Sequence, residues 1–163
     1  MAKVFISHAS DDREPTDEVQ QWLVAEGHEV FLAPDLRNGI VVGEEWEQRV
    51  NERLRWADTV VCVVTSAFRT SEWCHYEVGY ARSRGSQLLP VLAEPGVDHP
   101  LVKSAHCADL TKDPIKARAA LVEALRRVDV AGAGGGLITG RRFQGCARLT
   151  SNTTGCFSAA LAR

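Results

Sequence analysis

Thr59 to Val64 is an apolar run with no polar break, and it ends directly on Thr65-Ser66. A run of that length built on Val60, Val61, Cys62, Val63 and Val64 suits a strand covered on both faces. A half-exposed strand would instead alternate apolar with polar residues. Strands buried on both faces belong to parallel sheets with helices packed on each side. Each parallel neighbour must then be reached by a crossover, usually a helix. The rest of the chain meets that requirement.

Val4-Phe5-Ile6 is a short apolar run ending in a polar turn from Ser7 to Asp12. Pro15 suits a first helical turn, and Val19, Trp22 and Leu23 follow at helical spacing up to Gly27. Glu29 to Ala33 reads as a second strand and Pro34 to Gly43 as a loop. Glu44, Glu45 and Glu47 then crowd a helix start, where the dipole favours them, with Trp46, Val50 and Leu54 on its buried side. A helix opened by Ser71 follows the central run, and Leu88 to Leu92 forms a fourth strand. Pro90 inside that strand argues for a position near the sheet edge. His106 to Leu110 is a candidate short fifth strand. Asp113-Pro114 supplies an N-cap and a first-turn proline for a last helix, with Ile115, Val122, Leu125 and Val128 expected inward. The expected fold is α/β: a flavodoxin-like, doubly wound, five-stranded parallel sheet with helices on both faces. Ligands of such sheets bind at the carboxyl ends of the strands, so a site is expected in the turns after the first three.

A chain of 163 residues is long enough for one domain with a core. That domain is expected over residues 1–130. Residues 131–163 open on the glycine-rich linker Ala131 to Gly136 and lack periodicity, as an unstructured tail would. A net charge of −2 gives no electrostatic case for nucleic acid or an anionic membrane. No apolar run reaches transmembrane length, and the N-terminus reads as a strand rather than a signal peptide. The five cysteines, Cys62, Cys74, Cys107, Cys146 and Cys156, include no CxxC pair. They are expected to be free thiols in a reducing cytoplasm. His99, His106 and Cys107 match no zinc spacing, so no metal site is expected.

The most informative segment for chemistry is Ser71-Glu72-Trp73-Cys74-His75-Tyr76-Glu77. Ser71 is a capping residue, and Trp73 and Glu77 stand four apart, stacked on one helix face. With Cys74, Val78 and Ala81 defining the apolar side, Glu77 is expected at its border, half-buried beside an aromatic wall. Taken alone, such a pair is more often structural than functional. Asp11-Asp12 reads as a carboxylate pair favoured by a helix start rather than as a metal site.

In this order of segments the chain resembles a bacterial TIR (Toll/interleukin-1 receptor) domain over about its first 130 residues. Val4 to Asp12 looks like the family's opening strand and loop. Asp35 to Gly43 resembles the loop that in this family mediates assembly and closes over the site, and Ser66 to Glu77 resembles its S…S.WC..E stretch. The family's Phe-Trp box is missing. Many TIR domains of this type cleave NAD⁺ to nicotinamide and an ADP-ribose product, linear or cyclised. The resemblance makes Glu77 the catalytic carboxylate and Trp73 its aromatic neighbour, with NAD⁺ as substrate and no cofactor. Phe5, His8 and Ser10 are candidates for holding the ribose or phosphates. Arg37 is a further candidate, though it suits a loop or interface better than a phosphate clamp. The loop residues Gly39, Ile40, Val41, Val42 and Gly43 are expected to join TIR protomers into an active homo-oligomer.

Two other classes compete. A phospho-accepting receiver shares the architecture but needs an aspartate at the end of the third strand, where this chain has Thr65-Ser66. The second is a non-catalytic TIR module that only recruits partners in signal transduction, which the residues leave open. Back-translated with GC-rich codons, Phe143 to Arg163 can be read in another frame as the start of an NTPase module. On that expectation the chain is the N-terminal effector of a larger signalling protein.

Overall fold

A computed structural model of the chain describes residues 1–33, 46–104 and 106–133. The loop Asp35 to Gly43, with Arg37, and the segment from Gly134 onward lie outside the described residues. Along the chain run β1 (Lys3–Ser7), α1 (Arg13–Ala25), β2 (Glu29–Leu32), α2 (Trp46–Trp56), β3 (Thr59–Val64) and α3 (Ser66–Thr70). They are followed by α4 (Glu72–Ser83), β4 (Gln87–Leu92), α5 (Pro100–Ser104), β5 (Ala108–Asp109) and α6 (Pro114–Ala133). The strands form one parallel five-stranded sheet in the order β2-β1-β3-β4-β5.

Every residue of β3 is buried, as its unbroken apolar run requires. Alternate residues of the strands feed two cores. Val4, Ile6, Val61, Val63 and Val91 pack with Val19 and Leu23 of α1 and Leu121 and Leu125 of α6. Phe5, Val60, Cys62 and Val64 pack on the opposite face with Val50 and Leu54 of α2 and Cys74, Val78 and Ala81 of α4. Gly27 and Gly85 follow α1 and α4 with φ of 82° and 74°, a left-handed conformation that terminates a helix without the cost of a Cβ.

Several expectations change in detail. Pro90 sits in the penultimate strand, opposite Cys62 and one residue before the two-residue β5 begins to pair. Ile115 does not face inward: it is 83% exposed, and the buried stripe of α6 is Ala117, Leu121, Leu125 and Val128. The helix axis is set by that longer stripe, which turns the first-turn isoleucine outward. Val122 is only half-buried. Helix α6 also runs through Ala131, Gly132 and Ala133, which read as linker in sequence. The five-residue helices α3 and α5 were not expected, since neither is long enough to show a helical period.

The two readings of α6 separate experimentally. Leu125→Ala is expected to cost about 2–5 kcal/mol, while Ile115→Ser stays within about 0.5 kcal/mol of the parent. Thermal or urea unfolding of both variants checks this, and similar losses would refute the assignment of faces.

Candidate active site

In a doubly wound sheet the chain leaves β1 in one direction and returns to β3 in the other, opening a crevice between their carboxyl ends. Here β1 lies between β2 and β3, and Ser7, the last residue of β1, pairs with Cys62 of β3. Ser7 shares a strand face with Phe5, so its side chain turns toward the layer that contains α4. The Ser71 hydroxyl caps α4 by accepting from the Cys74 N–H at 3.3 Å, as its sequence position implies. One turn on, Glu77 enters the buried stripe between Cys74 and Ala81.

The Ser7 hydroxyl donates to Glu77 Oε2 at 2.5 Å. Glu77 Oε1 is buried and has no hydrogen-bond partner among the described residues. The side chain is only 1% exposed, so it lies inside the stripe and not, as expected, half-buried at the border. Moving an ionised carboxylate out of water with one hydrogen bond to compensate is unfavourable. Burial accordingly pushes Glu77 from 4.5 up to about 8, with the Ser7 hydrogen bond pulling weakly the other way.

A second polar pair closes the same end of the crevice. The Thr65 hydroxyl donates to Asp12 Oδ2 at 2.5 Å and accepts from the Phe68 N–H at 3.0 Å. Asp12 therefore does not cap α1 with its side chain but ties the loop after β1 to the start of α3. Burial outweighs the Thr65 hydrogen bond and raises its carboxyl above the usual range. Burial, reinforced by Glu77, keeps the neighbouring thiols protonated, pushing Cys74 up to about 12 and raising Cys62 as well.

The remaining sequence candidates separate. Trp73 is half-buried, and its indole stacks on Tyr76 with centroids 5.2 Å apart and planes 10° apart. Tyr76 in turn lies 2.9 Å from Asn51 and 3.0 Å from Glu47 through its hydroxyl, which binds α4 to α2. His8 and Ser10 are half-buried in the loop that follows Ser7. Phe5 is a core residue, fully buried with its ring 5.5 Å from that of Phe31, and the structure leaves it no surface for a ribose. Ser7 was missed. Its signal was its place: a polar residue at the carboxyl end of a buried strand, on the same face as Phe5. Among the described residues no group of three or more His, Cys, Asp or Glu side chains could hold a metal ion. No described helix is long and apolar enough to cross a membrane.

A parallel sheet with helices on both faces and the buried Glu77 carboxyl over its switch point defines a doubly wound α/β domain. The TIR domain family matches residues 4–125, and the chain belongs to it. The TIR domain of the Toll-related receptor TRR-2 from Hydra magnipapillata is similar over 79% of this chain and 99% of that one, with 16% identity and a TM-score of 0.63. A 2-deoxyribosyltransferase from Bacillus psychrosaccharolyticus is 18% identical over 63% of this chain and 79% of its own, with a TM-score of 0.49. The TIR domains of the activated Roq1 resistosome are 19% identical over 78% of this chain and 83% of theirs, with a TM-score of 0.48. No curated protein matches.

The raised pKa of Glu77 has a stability consequence. Between 4.5 and about 8 the folded protein holds a proton that the unfolded chain has lost. The contribution is thus full below 4.5 and lost as pH rises through about 8. Glu77→Gln keeps the shape without the charge, so its thermal midpoint should match the parent near pH 4.5 and exceed it above pH 8. The gain at high pH is expected to be on the order of a few kcal/mol. A midpoint difference that does not change with pH would contradict the burial of this carboxyl.

Proposed function

We propose that this TIR domain cleaves the nicotinamide–ribose bond of NAD⁺, with Glu77 as its catalytic carboxylate. The observation that carries this reading is the buried Glu77 at the switch point, with Oε2 held by Ser7 and Oε1 without a partner among the described residues. An ordinary glycosidase needs one carboxyl to protonate its leaving oxygen and another for the opposite face of the sugar. Nicotinamide needs no such acid. The electron pair of the C1′–N bond returns to a ring nitrogen that already carries positive charge, so the leaving group departs neutral. Water then adds to C1′ and loses a proton, giving ADP-ribose.

What the protein must supply is negative charge near an oxocarbenium-like ribose, and one carboxylate in a dry site does this efficiently. Neutral Glu77 is the resting form near pH 7, given its value of about 8. The cationic pyridinium of the substrate favours the ionised form, so substrate arrival and ionisation reinforce each other. Ser7 fixes the carboxyl, while Trp73, His8 and Ser10 are the neighbours available to the rest of the molecule. The loop Asp35 to Gly43 keeps the role its residues suggest. Ile40, Val41 and Val42 are three consecutive apolar residues, a composition suited to contact between protomers, and clustering in the cytoplasm raises the effective concentration that switches activity on.

Glu77→Gln is expected to lower nicotinamide release by orders of magnitude while leaving the fold intact. Parent-level turnover in that variant would overturn the assignment of Glu77, whereas no nicotinamide release by the parent at any protein concentration would favour a recruiting module. In the parent, kcat/KM should rise with pH and level off above about 8, because the free enzyme must lose the Glu77 proton. For the loop, specific activity should climb with protein concentration, and Val41→Asp should abolish the climb. A specific activity flat from nanomolar to high micromolar protein would refute the gating alone.

A further inference from the structure

Helix α4 also walls a cleft of about 430 Å³ that does not include Glu77. Its lining is basic although the whole chain carries a net charge of −2. Arg69 from α3 and Arg82 from α4 both line it, and both are exposed. Neither guanidinium forms a hydrogen bond or close ion pair with another described residue, although the charge of Arg69 is felt by Glu94 and Asp98. Both acids have closer partners. Asp98, which also lines the cleft, pairs with Lys103 at 2.8 Å, and Glu94 accepts from the Ser66 N–H and hydroxyl, both at 2.7 Å.

Two imidazoles complete the polar lining. His75 and His99 lie with ring centroids 6.2 Å apart. His99 is 6% exposed, packed edge-on against Phe68, and its Nδ1 accepts from the Leu101 N–H at 3.2 Å. With Nδ1 an acceptor, the neutral ring carries its proton on Nε2 and offers it as a donor. Val78 and Leu101 supply apolar wall. Gly79, in the middle of α4, keeps one side open: a Cβ there would meet nothing within 4 Å. A mid-helix glycine costs about 0.5–1 kcal/mol relative to alanine, and no described neighbour requires one at this position.

We propose that the cleft between α4 and the β4–α5 connection binds a phosphate-bearing anion, gripped by Arg69 and Arg82 with His75 and His99 as further donors. Two guanidiniums with no described acid in hydrogen-bond or ion-pair contact are suited to a diphosphate, which accepts paired, charge-assisted hydrogen bonds from each. The volume leaves room beside the phosphates for the remainder of a nucleoside diphosphate. This site is independent of the reading of Glu77, and its test uses no turnover.

The experiment is amide NMR of the full chain at constant ionic strength, titrated with inorganic pyrophosphate and, in parallel, with ADP. Saturable shifts are expected at His75, Gly79, Arg82 and His99. The double variant Arg69→Gln/Arg82→Gln should weaken pyrophosphate by about tenfold or more for each guanidinium removed. Gly79→Leu, which improves helix propensity while filling the cleft, should weaken it comparably. Tighter binding of ADP than of pyrophosphate assigns a nucleotide to the site, and equal binding assigns the phosphate groups alone. The proposal fails if sulfate gives the same shifts at equal concentration, if the shifts centre on Ser7 and Glu77, or if the variants bind pyrophosphate as the parent does.

Discussion

Glu77 occupies a place where the packing calls for an apolar side chain. It stands in the inward stripe of α4, between Cys74 and Ala81, over strands whose facing residues are phenylalanine, valine and cysteine. A single hydrogen bond from Ser7 makes that position tolerable for a carboxyl, and only in its neutral form is the cost small. The domain therefore gives up stability at high pH to keep an acid at the one crevice its topology creates. Stability is coupled to the ionisation of this one carboxyl, the group proposed to carry the chemistry.

The elements around that acid hold it from several sides. Ser7 ends a strand in register with β3, so its hydroxyl is placed by backbone ladders rather than by a loop. Asp12 and Thr65 join the loops that leave β1 and β3, which limits how far the crevice can spread. On its outward side α4 is braced against α2 by Tyr76 and Tyr80, the latter accepting from Arg55 at 2.8 Å. One helix thus carries an inward acid, an aromatic brace and a wall of the basic cleft, each on a different stretch of its surface. A shift of α4 along its axis would be felt at both the Glu77 carboxyl and the cleft.

Much of the fold was readable because its cause is local. The unbroken run of β3 demands cover on both faces, and the helical spacing of Val19 and Leu23 or of Val50 and Leu54 shows what supplies it. Ser71 and Asp113-Pro114 announce helix starts through atoms only a few bonds away. The misreadings have the opposite origin. Ile115 looks inward in a helical projection, yet its exposure depends on where the sheet meets α6. Phe5 looked like a pocket residue from its place beside the first loop, whereas its ring packs against Phe31 from a neighbouring strand.

The sequence by itself determined the α/β class and the TIR family and singled out Glu77 as the candidate acid, because hydrophobic period, capping residues and the W-x-x-x-E spacing are properties of short stretches. Only the tertiary structure decided how deeply Glu77 lies and which group holds it. Ser7 and Glu77 are separated by 70 positions and meet only because β1 sits beside β3 under α4. The same holds for Arg69, Arg82, His75 and His99, whose gathering around one cleft depends on how α3, α4 and the β4–α5 connection pack. Desolvation is the physical reason for the division. It depends on what surrounds a group in space, and no local pattern encodes it.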